Sequence, residues 1–278
     1  MDLNVELLGG VSLKLVEGTE SGDGYPTARL CKGLILVHDG QELDEEGVGF
    51  GVPVVKLGFK TIFSGEMNYV WRVEGSVQDI VAVYSMNLEE KLAHPRRGSV
   101  NSKVLYAAKN SLAELYRRIP VMRGLLTQIS NALRTVFGWE TTFQEVSDYG
   151  KVRVTHRIDL KAGMIAVTVD TTGLLGDGIT EVVVMNEQGA RWFDQYRDSS
   201  GTFLRGNEIG NWDEVSADEA TFVSGASGLS FSLGQVPGAR LLRGRELVGS
   251  RLAWAGFGYS FAPHLPEITY RLRIEKLA

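Results

Sequence analysis

The sequence predicts an all-β fold, a large antiparallel double-sheet sandwich interrupted by one helical hairpin. Three observations carry this. Short segments alternating apolar and polar residues recur from residue 3 to residue 90 and again from 139 to 278, the period of two that half-buried strands require. One long stretch, about 101–137, instead spaces its apolar residues in steps of three and four. With 278 residues, 44% of them hydrophobic, the chain can bury a substantial core as one all-β unit. The expected organisation is therefore a single domain over 1–278, with strands in 1–90, a helical insertion at 101–137 and strands in 139–278.

Taken in order, Leu3, Val5 and Leu7 alternate with Asn4 and Glu6, and Gly9-Gly10 turns the chain into Val11–Val16, a hairpin signal. Gly33–His38 is apolar on both faces, as in an interior strand. The acidic run 39–47 follows as a solvated turn, without the ligand spacing of an EF-hand. Gly49, Gly51 and Gly58 punctuate the next strand, where glycine marks a bulge or a close backbone approach. Pro53 in the same strand lacks a ladder donor and calls for an edge or a bulge. Met67–Val73 and Gln78–Met86 complete the first half.

In the middle, Leu105, Ala108, Leu112, Leu115 and Ile119 form one apolar stripe, Pro120 interrupts it, and Met122, Leu126, Ile129, Leu133 and Val136 resume it up to Gly138. Two short helices laid over an apolar surface are expected. Alternation then returns. Val152, Val154, His156 and Ile158 share one strand face, and Ala162-Gly163 turns the chain back into Met164–Asp170. A strand Val182–Val184 ends in Asn186-Glu187, and 188–200 is expected as a short helix or an aromatic loop. Leu229, Phe231 and Leu233 alternate with serines, and Ile268, Tyr270, Leu272 and Ile274 alternate with charged residues in the cleanest strand of all. Because strands follow strands almost throughout, a βαβ parallel sheet is excluded. This architecture is similar to the supersandwich of galactose mutarotase-like domains, found in sugar epimerases and polysaccharide lyases. The likeness rests on strand number, length and the final alternating strand, and it assigns no residue.

Composition narrows the function. A formal charge of −5 argues against general nucleic-acid affinity for the whole chain. Cys31 is the single cysteine, so no intrachain disulfide is available, and it is expected as a small buried hydrophobe. The start Met1-Asp2-Leu3-Asn4 lacks the basic and apolar regions of a signal peptide, and no apolar stretch reaches the ~20 residues of a membrane span. A soluble cytoplasmic protein without cofactor is expected. His38, His94, His156 and His264 lack the spacing of a zinc site.

Two function classes remain. The first is a sandwich that binds, and in one version transforms, a carbohydrate or related polar ligand. Asn186-Glu187 after an apolar strand resembles the acid/base strand of clan-A glycosidases, which implies Glu187 as proton donor and Asn186 as a ligand for a sugar hydroxyl. Those enzymes are (β/α)8 barrels, which this pattern does not make; a polar pair lining a cleft and a plain turn are the alternatives. His156, with a side-chain pKa near neutrality, is a second acid/base candidate or else a core histidine bonded to a carbonyl. Arg245, Arg251, Trp254 and Tyr259 offer bidentate donors and stacking surface for a sugar or uronate, unless Trp254 simply fills the core over Gly256 and Gly258. The second class is an interaction protein. Residues 91–134 hold nine basic side chains against Glu114 alone, a local charge of +8 that leaves −13 on the remainder of a chain totalling −5. Arg117, Arg118 and Arg123 on this hairpin would dock an anionic partner, or else rest against the acidic remainder or a second copy in a homo-oligomer.

Overall fold

The computed structural model describes residues 3–16, 31–44, 47–58, 60–64, 66–95, 139–144, 148–161, 163–176, 178–248 and 252–277. The first strands are β1 (Leu3–Leu8), β2 (Val11–Leu15), β3 (Leu34–His38), β4 (Gln41–Glu42), β5 (Gly49–Leu57), β6 (Lys60–Phe63) and β7 (Glu66–Glu74). There follow β8 (Val77–Ser85), β9 (Leu88–Pro95), β10 (Trp139–Gln144), β11 (Lys151–Asp159), β12 (Met164–Asp170), β13 (Glu181–Gly189) and β14 (Gln195–Asp198). The last are β15 (Phe203–Arg205), β16 (Asp213–Glu214), β17 (Glu219–Ser224), β18 (Leu229–Gly234), β19 (Ala239–Val248), β20 (Leu252–Phe261) and β21 (Glu267–Lys276).

They form two antiparallel sheets, so the fold is an all-β sandwich. The 12-stranded sheet runs β1-β2-β3-β5-β13-β20-β19-β16, with β4 on β3 and β6, β9 and β10 leading off from β5. The nine-stranded sheet runs β15-β14-β17-β18-β21-β12-β11-β8-β7. Their inner faces share one core, because alternate residues of each strand turn towards the other sheet. In β21 Ile268, Tyr270, Leu272 and Ile274 are buried and their neighbours exposed. Phe50, Phe193, Phe222, Phe231 and Phe257 interlock edge-to-face at its centre, and each is fully buried.

The hairpin at Gly9-Gly10 forms as expected, with both glycines at positive φ (52° and 84°). Pro53 sits inside the sheet rather than at its edge. β3 pairs with β5 only at Phe50, and β6 only from Val55 onward. Pro53 falls in the gap between them, so its missing N–H costs no ladder bond on that side. Residues 188–200 form no helix: β13 continues to Gly189, the turn at 190–194 carries Trp192 and Phe193, and β14 begins at Gln195 and holds Tyr196. The strand thus runs on past Asn186-Glu187, which lie within it and not at its end. The helical hairpin expected at 101–137 lies outside the described residues. Among those described, no helix is long and apolar enough to cross a membrane.

Candidate functional site

The sequence-predicted site residues fall into two separate environments, one between the sheets and one on the outer face of the larger sheet. The interior one is built at a bulge. β5 and β13 pair regularly from Lys56 to Val52, then slip between Met185 and Asn186, where Gly51 is the extra residue at φ +78°. The Gly51 N–H donates to Asn186 Oδ1 at 3.1 Å, and Tyr270 OH reaches the same oxygen from β21 at 2.9 Å. From the other sheet, His156 of β11 brings Nε2 to 3.3 Å from the Phe50 carbonyl. Asn186 and His156 are both fully buried. Burial pulls the His156 pKa down to about 4, against the opposing pull of backbone hydrogen bonds at Phe50 and Ile80. At neutral pH this imidazole is uncharged and joins the sheets through a carbonyl. Tyr270 is pushed well above the ordinary tyrosine range, chiefly by the same burial.

The outer face of the 12-stranded sheet is set by register. Strand β20 turns Ala253, Ala255, Phe257, Tyr259 and Phe261 into the core, leaving Trp254, Gly256, Gly258 and Ser260 on the opposite face of the sheet, where all four are buried as well, Trp254 being 8% exposed. Glu187 pairs with Gly256 and therefore shares this outer face, as does Glu246, which pairs with Trp254. Glu187 is only 3% exposed, and its Oε2 accepts the Val48 N–H at 3.2 Å. Trp254 stacks on Trp212, with ring centroids 4.8 Å apart and planes 18° from parallel. The indoles stand on glycines. A Cβ at Gly244 would lie 2.8 Å from Trp254 Cη2, and one at Gly258 would lie 2.9 Å from Trp212 Cζ3. Beyond Ser260 the face carries Glu181, which binds Lys56 Nζ at 2.6 Å, Arg240 Nη2 at 2.9 Å and the Ser260 hydroxyl. Burial raises the Glu181 pKa, but Lys56, Ser260 and Arg240 together outweigh it and hold the carboxyl below its usual range. Val54, Phe63, Val183 and Met185 form a small apolar cluster beside it.

The remaining candidates point elsewhere. Arg245 faces inward and donates from Nε and Nη2 to the Ala190 carbonyl at 3.2 and 2.8 Å. Tyr259 also faces inward, its hydroxyl donating to the Gly234 carbonyl at 2.6 Å. Arg245 and Tyr259 thus lie on one face of the sheet and Trp254 on the other, the separation of Trp254 from Tyr259 being the one that strand alternation implies. Arg251, Arg117, Arg118 and Arg123 lie outside the described residues. Trp212 was not singled out in the sequence because it occupies a bend at φ 61° rather than a strand. The signal that could have found it is the glycine spacing of β20, where a strand glycine marks an element lying close over the sheet.

Two shallow clefts lie away from both environments. One of about 400 Å³ is lined by Glu6, Gly10, Ser12 and Asp39, and one of about 270 Å³ by Thr171, Thr172, His264 and Pro266. Among the described residues, no group of three or more His, Cys, Asp or Glu is arranged to hold a metal ion.

No protein-family model matches the chain, and no curated protein matches it. Among solved structures it is similar to an α-N-acetylgalactosaminidase from Bifidobacterium bifidum in complex with GalNAc, with a TM-score of 0.50 at 12% identity. That match covers 100% of this chain and 36% of the enzyme, so the chain spans about a third of the enzyme's length. A galactose mutarotase-like protein from Lactobacillus casei aligns over 99% of both chains, with a TM-score of 0.39 at 11% identity. What the α-N-acetylgalactosaminidase shares with this chain is the fold.

Proposed function

We propose that this protein is a supersandwich of the galactose mutarotase-like kind that binds a carbohydrate on the outer face of its 12-stranded sheet. The observation that carries this is the stacked Trp212–Trp254 pair standing on Gly244 and Gly258. A flat, rigid aromatic surface suits the apolar face of a sugar ring, and the carboxylates of Glu187 and Glu246 on the same face suit its hydroxyls. Glu187, itself 3% exposed, is the acid/base candidate on this face, whereas His156 points between the two sheets. The bound GalNAc named for the B. bifidum enzyme makes N-acetylgalactosamine the first probe, followed by galactose and galacturonate. Titrating each sugar while following tryptophan fluorescence should give a saturable change that Trp212→Ala abolishes. At a hundred times its Kd, the sugar should also add roughly 2.7 kcal/mol to stability. No saturable change with any of the three, or an unaltered one in Trp212→Ala, rejects the proposal.

A second function rests on the charge split. The +8 of residues 91–134 against −13 elsewhere suits the docking of an anionic partner through Arg117, Arg118 and Arg123. Retention on heparin at low salt, released by salt and weakened in the triple Arg→Gln variant, would support it. Retention unchanged in that variant, or absent, would reject it.

A further inference from the structure

The nine-stranded sheet ends at β7, which among the described residues pairs with β8 alone. The pairing runs without a slip from Glu66–Ser85 to Glu74–Val77, so no bulge turns this nine-residue strand away from a neighbour. Its apolar residues are exposed on both faces: Val70 is 53%, Trp71 40% and Val73 57% accessible. The Trp71 ring is held in place by its Nε1, which donates to Gln78 Oε1 at 3.1 Å. A long, regular edge with exposed apolar side chains is a template for another strand.

We propose that β7 is the seam of a homodimer, pairing antiparallel with β7 of a second copy about a two-fold axis through Tyr69. The charge pattern of Glu-Met-Asn-Tyr-Val-Trp-Arg-Val-Glu selects both the partner and the register. Centred on Tyr69, the pairing sets Glu66 opposite Arg72 twice and Met67 opposite Trp71 twice. Centred on Val70, it sets Glu66 opposite Glu74 twice, which directly opposed like charges disfavour. Centred on Trp71, it makes no ion pair. Glu66 and Arg72 are both exposed, so both are available to a second copy. An isologous contact of this kind closes on itself and uses the β7 edge of both copies. With about seven residues paired on each side, the contact is small, at the low end of specific interfaces.

Sedimentation velocity from about 1 to about 100 µM tests this. The native chain should pass from monomer to dimer across that range; a chain that stays monomeric throughout overturns the proposal. Glu66→Arg, which sets two positive charges against Arg72, should raise the dimer Kd at least tenfold. The exchanged double variant Glu66→Arg/Arg72→Glu recreates both pairs with reversed sign and should return the Kd to within about threefold of native. A dimer indifferent to Glu66→Arg, or a double variant as weak as the single, places the contact elsewhere and overturns the seam. Melting curves of the variants separate lost pairing from lost folding.

Discussion

The imidazole of His156 occupies the space that a side chain at Gly51 would need. A Cβ there would overlap His156 Nε2 and lie 3.3 Å from Val154 Cγ1, and the backbone stands at φ +78°. The bulge in one sheet and the histidine of the other are therefore fitted to each other. Gly51→Ala should cost about 1–2 kcal/mol for the left-handed backbone and about as much again for overpacking a closed core. Urea unfolding should show a loss of about 3 kcal/mol with an unchanged m-value. A loss below about 1 kcal/mol would mean that the bulge relaxes freely.

Asn186 holds the same bulge from below. Its Oδ1 accepts from two donors, the Gly51 N–H and the Tyr270 hydroxyl. Asn186→Leu keeps the volume but strands both donors in a dry interior, and each costs about 1–3 kcal/mol unpaired. Tyr270→Phe removes one donor and leaves the other satisfied, so about 1 kcal/mol is expected. The ratio of the two losses, measured by the same denaturation, checks whether Asn186 serves the fold.

How much of this was legible follows from how far each signal reaches along the chain. The β1–β2 hairpin and the alternation of β21 are local patterns, and both were read directly from Gly9-Gly10 and from Ile268 to Ile274. The roles of Asn186 and Glu187 are not local. β13 alternates without a slip against β20 and so turns Asn186 inward and Glu187 outward, but the Gly51 N–H that Asn186 accepts lies 135 residues away, at the β5 bulge. Sequence nearness likewise joined Arg245 to Trp254. Strand β19 turns Arg245 inward to Ala190, whereas β20 turns Trp254 outward to Trp212. The choice between a cleft plate and a core filler for Trp254 also needed Trp212, whose bend carries no periodicity.

The glycine floor gives a test of the indole pair that spares both tryptophans. Gly258→Ala places a methyl group 2.9 Å from Trp212 Cζ3 and 3.4 Å from Val183 Cγ1. The ring edge can shift where backbone could not, so the loss of stability should stay near 1 kcal/mol. The stack on Trp254 should open, visible as a change in near-ultraviolet circular dichroism with the far-ultraviolet β signal intact. Sugar-induced fluorescence change should fall with it. A variant with native near-ultraviolet bands would show that the pair does not depend on this floor.

Glu181 joins two strands through ion pairs on the outer face, with Lys56 from β5 and Arg240 from β19. Arg240 is more than half exposed, so its share is small. The Lys56 and Ser260 bonds are less exposed and carry more. Glu181→Gln should lower stability by about 1 kcal/mol at neutral pH. Because the carboxyl is held below its usual pKa, this contribution is present above the unfolded value and lost as pH falls through the folded one. Native and variant stabilities should converge in acid. A gap that persists there would assign the loss to packing.

His156 sets the pH dependence at less acidic values. Its folded pKa of about 4 lies below the ordinary histidine value of 6.5, so the unfolded chain binds the proton first. Stability is then complete above the unfolded pKa and declines as pH falls towards the folded one. Between pH 7 and pH 5 the loss from this residue alone should be about 2 kcal/mol. Other groups titrate in the same window, which makes a difference measurement necessary. His156→Gln keeps a side-chain amide that can donate to the Phe50 carbonyl and removes the titration. The variant should be less stable than the native chain at pH 7, since the replaced ring filled a closed core. Its stability should fall less steeply towards pH 5, so that the gap between the two proteins narrows by about 2 kcal/mol. Parallel curves for the two proteins would mean that the imidazole takes up its proton in the folded state. That outcome requires an opening between the sheets at the β5 bulge.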